Sequence, residues 1–202
     1  MQQTTPATDP EILREISGGI AATCAGFNLR RASRAVTQHF DHALAPVGLR
    51  TTQFTLLGAL ALGGPVSINQ LSMRLVMDRT TLTRNLRLLR DAGLVRAARS
   101  RAGRMVRYEL TEIGCETLAR AIPHWREAQD GIVGAFGAER WPGMVSELYR
   151  LVSGTLALDP RAEIPPESLA ASPNGVISAS LGAGMNGVTS ASGSGHPADQ
   201  NV

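Results

Sequence analysis

The residues best suited to chemistry gather in one stretch, Asp78-Arg-Thr-Thr-Leu-Thr-Arg-Asn-Leu-Arg-Leu-Leu-Arg-Asp-Ala-Gly93. Thr80, Thr81, Thr83, Arg84 and Arg87 combine short hydroxyls with long forked cations. Those groups bond phosphate oxygens and reach base edges in a major groove. An ordinary solvated helix face mixes Glu with Lys instead. At about 100° per residue, Leu82, Leu86 and Leu89 share one side of a predicted helix and bury. Thr80, Arg84, Arg87 and Asp91 then fall opposite, with Thr81 and Thr83 on the flanks. Both ends are marked. Asp78 suits an N-cap, and Gly93 supplies the left-handed residue that commonly follows a last turn.

Something must position that helix. Upstream, Ser67 and Gln70 fit an S-x-x-Q capping box, and Ile68, Leu71 and Leu75 give a second short helix its buried stripe. Val76 and Met77 alone separate it from Asp78, the length of a helix-turn-helix corner. Downstream, strands are predicted over Leu94–Ala98 and Arg104–Leu110, joined by a turn at Ser100–Gly103. Val66–Ile68 offers a short strand edge to the same hairpin. The hairpin carries Arg96, Arg99, Arg101, Arg104 and Arg107. The pattern is a mainly α chain built on a winged helix-turn-helix, about residues 51–110, with a small β wing. Its basic surface calls for double-stranded DNA.

The chain has 202 residues, enough for one domain with appendages. Its net charge of +3 understates the basic character, because the arginines concentrate between Arg74 and Arg107. No stretch is long and apolar enough to span a bilayer, and no lipidation motif favours a membrane surface. Residues 1–10 lack the basic and apolar regions of a signal peptide, so the expected compartment is the cytoplasm.

A disordered leader is expected over residues 1–16, with at most a short helix at Glu11–Ile16. The first substantial helix is predicted over about 22–45, with Leu29, Ala32, Val36, Phe40 and Ala43 as its buried stripe. Thr51 opens the next helix, closed by Gly63-Gly-Pro65. Thr111 caps a long helix after the wing, with Pro123 expected to kink it. Trp141, Val145, Leu148, Val152 and Leu156 form a final helix. The helices at about 22–45 and 111–158 are not needed to complete the winged unit, so their apolar faces ask for a partner, most simply a second copy. From Asp159 onward Pro, Gly, Ser and Ala dominate, and a disordered tail is expected over 159–202. Its Gly182-Ala-Gly-Met-Asn-Gly187 lacks the strand and helix that a phosphate-binding loop requires.

Catalytic signatures are absent: there is no G-x-S-x-G, no H-E-x-x-H and no Walker A loop. The expectation is a non-enzyme without cofactor or metal. His39 and His42 flank Asp41 but have no third ligand in view, so they read as a solvated face. Cys115 reads as packing. Cys24 reads as a structural, partly buried thiol; a redox thiol is the alternative, since arginines and a helix N-terminus both favour a thiolate.

These motifs resemble the MarR (multiple antibiotic resistance regulator) family of bacterial transcription regulators. The resemblance rests on Asp78–Leu86, Gly93-Leu-Val95, Leu110-Thr-Glu-Ile-Gly114, Asn28–Gln38 and Gly48–Phe54, and covers roughly Cys24 to Leu156. It implies a two-fold dimer intertwined through the first and last helices, a palindromic operator, and a repressor released by a small aromatic or anionic effector. The walls of an effector site would be Phe27 and Arg31 of the first helix and Phe54 and Leu57 of the second. The family wing usually carries Asp-x-Arg near its tip. Here Ala102-Gly-Arg104 keeps the Arg without its orienting carboxylate, which assigns Arg99, Arg101, Arg104 and Arg107 to phosphate. An architectural DNA binder without a sensor role is the remaining alternative.

Overall fold

Leucine spacing builds the core. Helix α5 (Arg79–Asp91) buries Leu82, Leu86 and Leu89, each at most 1% exposed. They share one cluster with Leu56, Leu57 and Leu60 of α3 (Thr51–Gly63) and Leu71 of α4 (Ile68–Leu75). Burying a leucine contributes about 1.5–3 kcal/mol, so this cluster is the main anchor of the recognition unit. The structure, a computed structural model, describes residues 9–99 and 106–158. The leader before Asp9, the wing tip with Arg101 and Arg104, and the tail from Asp159 lie outside the described residues.

The chain divides into two units, residues 1–148 and 149–202. In the first, α1 (Pro10–Thr23) and α2 (Ala25–Leu44) lead through a short 3-10 turn (Ala45–Val47) into α3. β1 (Val66–Ser67), α4 and α5 follow, then β2 (Val95–Arg99), β3 (Val106–Leu110) and α6 (Glu112–Phe136). Helix α7 (Trp141–Leu158) begins in this unit, and its residues from Tyr149 are the described part of the second.

The local signals act as the residue types require. Ser67 Oγ accepts the Gln70 N–H at 3.3 Å while Gln70 Oε1 accepts the Ser67 N–H at 2.9 Å, a complete capping box. The corner to α5 is tight. Val76 takes φ 48° and ψ 45°, left-handed backbone that a β-branched residue rarely adopts. Around it, Ser72 Oγ donates to the Met77 carbonyl at 2.6 Å and the Met77 N–H returns to the Ser72 carbonyl at 3.1 Å. Gly93 closes α5 at φ 73°.

The sheet has order β1-β3-β2, all antiparallel, with Val66 and Ala97 on either side of Tyr108. Tyr108 and Leu110 pack against the core, whereas Val106 is exposed. Thr111 then caps α6, accepting the Gly114 N–H at 3.0 Å and donating to the Gly93 carbonyl at 2.7 Å. A Cβ on Gly114 would collide with the Leu94 carbonyl oxygen, so this first turn presses directly on the end of the recognition unit. Helix α6 continues through Pro123 as one element. Its Trp125 stacks on Phe54 of α3 at 6.0 Å, and the Ala128 carbonyl accepts from His39 Nε2 at 3.1 Å.

Several expectations are corrected. Residues 10–16 are not leader but the first half of α1, because Asp9 caps Glu11 N–H and Pro10 occupies a first-turn position where its missing N–H costs nothing. The helix expected at 22–45 is split: α1 ends at Thr23, and Cys24, in extended backbone, starts α2. The α2 stripe is not buried within the chain, since Leu29 and Val36 are 39% and 41% exposed and Leu44 is the helix's buried residue. Cys115 is exposed rather than packed, because Gly114 occupies the contact with Leu94. His39 is exposed, and its Nε2 also reaches the Ala128 carbonyl of α6. The first wing strand begins one residue later than predicted, at Val95, and the second strand's expected start at Arg104 lies outside the described residues.

Candidate nucleic-acid interface

The outward face of α5 is held from its N-terminus. Asp78 Oδ1 accepts the Thr81 N–H at 2.8 Å. That bond, joined by the Thr81 hydroxyl, holds the Asp78 carboxyl below the usual carboxylate range, so it stays charged at the positive end of the helix. With Leu82, Leu86 and Leu89 locked into the core, the opposite side cannot turn away from solvent. There, Arg79, Thr80, Thr83, Arg84 and Arg87 line an open hollow of about 430 Å³.

Four of the predicted contact residues, Thr80, Thr83, Arg84 and Arg87, therefore meet at one place. Thr81 serves the N-cap. Arg87 Nε lies 3.6 Å from Asp91 Oδ2 with both side chains mostly exposed, a loose tether that a phosphate readily displaces. Arg79 was not singled out from sequence. Its signal was present in the i, i+4, i+8 row of Arg79, Thr83 and Arg87, which puts all three on one strip of the helix.

The wing arginines are not equivalent to those of α5. Arg96 Nε bonds Glu109 Oε1 at 2.7 Å across the β2–β3 pair, and Arg107 Nη1 donates to the Pro65 carbonyl at 3.0 Å. Both hold the wing to its own protein. Arg99 closes β2.

The residues expected around an effector stand in two different surroundings. Phe27 is exposed with the Arg31 guanidinium 5.6 Å from its ring centre, whereas Phe54 stacks on Trp125 and Leu57 is completely buried. Cys24 is half-buried and unpaired by any disulfide, and its carbonyl accepts both the backbone N–H and the side-chain amide of Asn28. Among the described residues no group of three or more His, Cys, Asp and Glu could hold a metal ion.

One junction escaped the sequence reading. Asp41 of α2 accepts the Thr51 N–H and the Thr51 hydroxyl, each at 2.7 Å, and the Arg50 guanidinium at 3.2 Å. It caps α3 from another helix. Partial burial pulls its carboxyl upward, but the Thr51 and Arg50 bonds outweigh that and leave it below its ordinary value.

Helix, corner, helix and a three-stranded wing around this face define a winged helix-turn-helix protein. A model described as the MarR family matches residues 47–104, from the end of the 3-10 turn into the wing. The M. tuberculosis transcriptional regulator MosR is 35% identical, with 68% of this chain and 98% of that one covered and a TM-score of 0.61. In its complex with DNA the figures are 37%, 67%, 98% and 0.62. The transcriptional repressor CouR, bound to a 23-mer DNA duplex, is 27% identical over 66% of this chain and 96% of its own, TM-score 0.61. No curated protein sequence matches the chain. The chain belongs to the MarR family of transcriptional regulators, which are not enzymes.

Proposed function

We propose that this protein is a dimeric, sequence-specific DNA-binding repressor that acts in the cytoplasm on a palindromic operator and is released by a small aromatic or anionic effector. The observation that carries the DNA-binding part is the α5 face, where three guanidiniums and two threonines surround one open hollow opposite a buried leucine stripe. Such a face offers phosphate contacts from its rim and base contacts from its centre. The DNA-bound forms of MosR and CouR support the same reading.

Dimerisation is supported by apolar surface that the chain leaves open. Ile16 and Ile20 of α1, Phe27, Leu29 and Val36 of α2, and Met144 of α7 are all more than a third exposed. A second copy covers such faces at least cost, and two copies of α5 then bind DNA as a pair when their spacing matches successive major grooves, about 34 Å apart. For the effector, the support is CouR, a repressor also seen bound to p-coumaroyl-CoA, 27% identical with a TM-score of 0.59. Among the described residues, no helix is long and apolar enough to cross a membrane.

Footprinting of the full-length protein on genomic fragments tests the proposal. One short protected palindrome is expected, and coverage that simply lengthens with the fragment would make the protein an architectural binder instead. Titrating aromatic acids and their thioesters into the protein–operator complex tests release. Compounds that bind the free protein yet leave the complex intact would remove the effector from the reading.

A further inference from the structure

The three threonines of the α5 face use their hydroxyls differently. Thr81 turns both its N–H and its hydroxyl to the Asp78 carboxylate. Thr83 Oγ1 donates to the Arg79 carbonyl one turn back at 2.6 Å. The Thr80 hydroxyl has no partner among the described residues. A hydroxyl carries one proton, and in Thr83 that proton is committed to the helix. Phosphate oxygens are acceptors, so Thr83 has nothing to give them while this bond stands. With the hydroxyl folded back, the exposed remainder of the side chain is its methyl, in a hollow shared with Arg79, Thr80, Arg84 and Arg87.

In the major groove only thymine among the four bases presents a methyl group. We propose that Thr83 is a specificity-determining residue that reads the C5-methyl of a thymine through its own methyl, while Thr80 gives its hydroxyl to phosphate. The inference rests on the DNA-binding reading above and narrows it. In this division of roles the guanidiniums supply charge and hydrogen bonds around the rim, and Thr83 adds an apolar contact that no other base repays. Arg84 and Arg87 add the charged contacts, Arg84 to a base edge, and Thr83 sharpens what the helix prefers beside it.

The test uses the full-length protein and a duplex that it selects from a random-sequence pool, with each thymidine replaced in turn by deoxyuridine, which lacks the methyl. Binding is read by fluorescence anisotropy. For the parent, one replacement per half-site should weaken binding about fourfold, the worth of a buried methyl. Thr83→Val keeps the methyl and loses the hydroxyl; its ratio of affinities for the thymidine and deoxyuridine duplexes should match the parent's. Thr83→Ser keeps the back-bonded hydroxyl and loses the methyl; it should bind the two duplexes equally well, with an unchanged melting temperature. Loss of binding in Thr83→Val with the preference retained in Thr83→Ser would overturn the proposal in favour of a hydroxyl contact. Selective binding by the parent with no thymidine preference to lose would overturn it while leaving the DNA-binding reading intact. A parent that selects no sequence at all would overturn both.

Discussion

Helices α5 and α2 are both amphipathic, and they meet their surroundings in opposite ways. In α5 the apolar side is finished inside the chain, with Leu82, Leu86 and Leu89 at most 1% exposed, and the polar side is left open. In α2 the polar side is partly finished inside the chain, where Asp41 holds α3 and His39 reaches α6, while Leu29 and Val36 remain about two-fifths exposed. The side left open tells what each helix awaits. An open face of guanidiniums and hydroxyls suits a polyanion, and an open aliphatic face suits protein. One chain thus presents two unfinished surfaces of different chemistry, joined through α3.

The comparison is broken most severely at α5. Leu86→Ala removes a side chain that is fully enclosed by α3, α4 and the wing base, so unfolding stability should fall by about 2–5 kcal/mol, measured by urea denaturation. A loss below about 1 kcal/mol would mean that the stripe is not the anchor of the unit. The matching change on α2 should behave differently. Val36→Glu puts a charge on an already exposed position, so the monomer should keep its melting behaviour while association weakens by about 2 kcal/mol or more, as for a hot-spot residue. Sedimentation over a concentration series decides it. An unchanged dimer would take Val36 out of the interface, and collapse of the monomer would show that α2 belongs to the core after all.

How far the sequence carried follows the same division. Leu82, Leu86, Leu89 and Leu71 were legible because a helical period identifies a buried side, and in α4 and α5 the covering elements are close in the chain. Asp78, Ser67, Gly93 and Thr111 were legible because caps are local chemistry. The same period in α2 marked its apolar side correctly, yet periodicity carries no information about which molecule covers it. Asp41 was missed because its partners lie nine and ten residues away across a turn, and Cys115 was misjudged because its neighbour Gly114 takes the contact. Helix α1 was legible only as a short piece at Glu11–Ile16, although Asp9-Pro-Glu11 is a helix start and the helix runs on to Thr23. Arg107 was assigned to phosphate, and Arg96 counted in the basic hairpin, because residue type shows charge but not an occupied partner.

That last distinction yields a paired prediction. No ion pair holds Arg84 among the described residues, whereas Arg96 is bonded to Glu109. Arg84→Ala should weaken operator binding by about 1–3 kcal/mol and relax preference at one base pair. Arg96→Ala should leave operator affinity within about twofold and change stability by no more than about 0–1 kcal/mol, as exposed ion pairs usually do. Anisotropy titrations at two salt concentrations compare them. Equal losses would show that the Arg96–Glu109 pair opens onto DNA, and the separation between occupied and open arginines would fail.

The smallest effect is expected at the joint between the two surfaces. The folded state holds the Asp41 carboxyl below its ordinary value, because the Thr51 N–H, the Thr51 hydroxyl and Arg50 together outweigh the upward pull of burial. A depressed carboxyl stabilises the fold above its unfolded value, and that contribution is lost as pH falls through the folded value. Asp41→Asn keeps an oxygen for Thr51 but gives up the charge, so at pH 7 it should melt a few degrees below the parent, on the order of the shift that a weakened hydrogen-bonded charge produces. The gap should persist down to about pH 4, near the unfolded carboxyl value, and narrow below it as the parent protonates too. A gap that stays constant into acid would assign the loss to packing rather than charge. If the variant keeps its melting temperature yet binds operators whose half-sites are respaced by one base pair as well as the parent's own, Asp41 sets the angle between α2 and α3 without adding stability, and the joint itself controls how the two open surfaces are spaced.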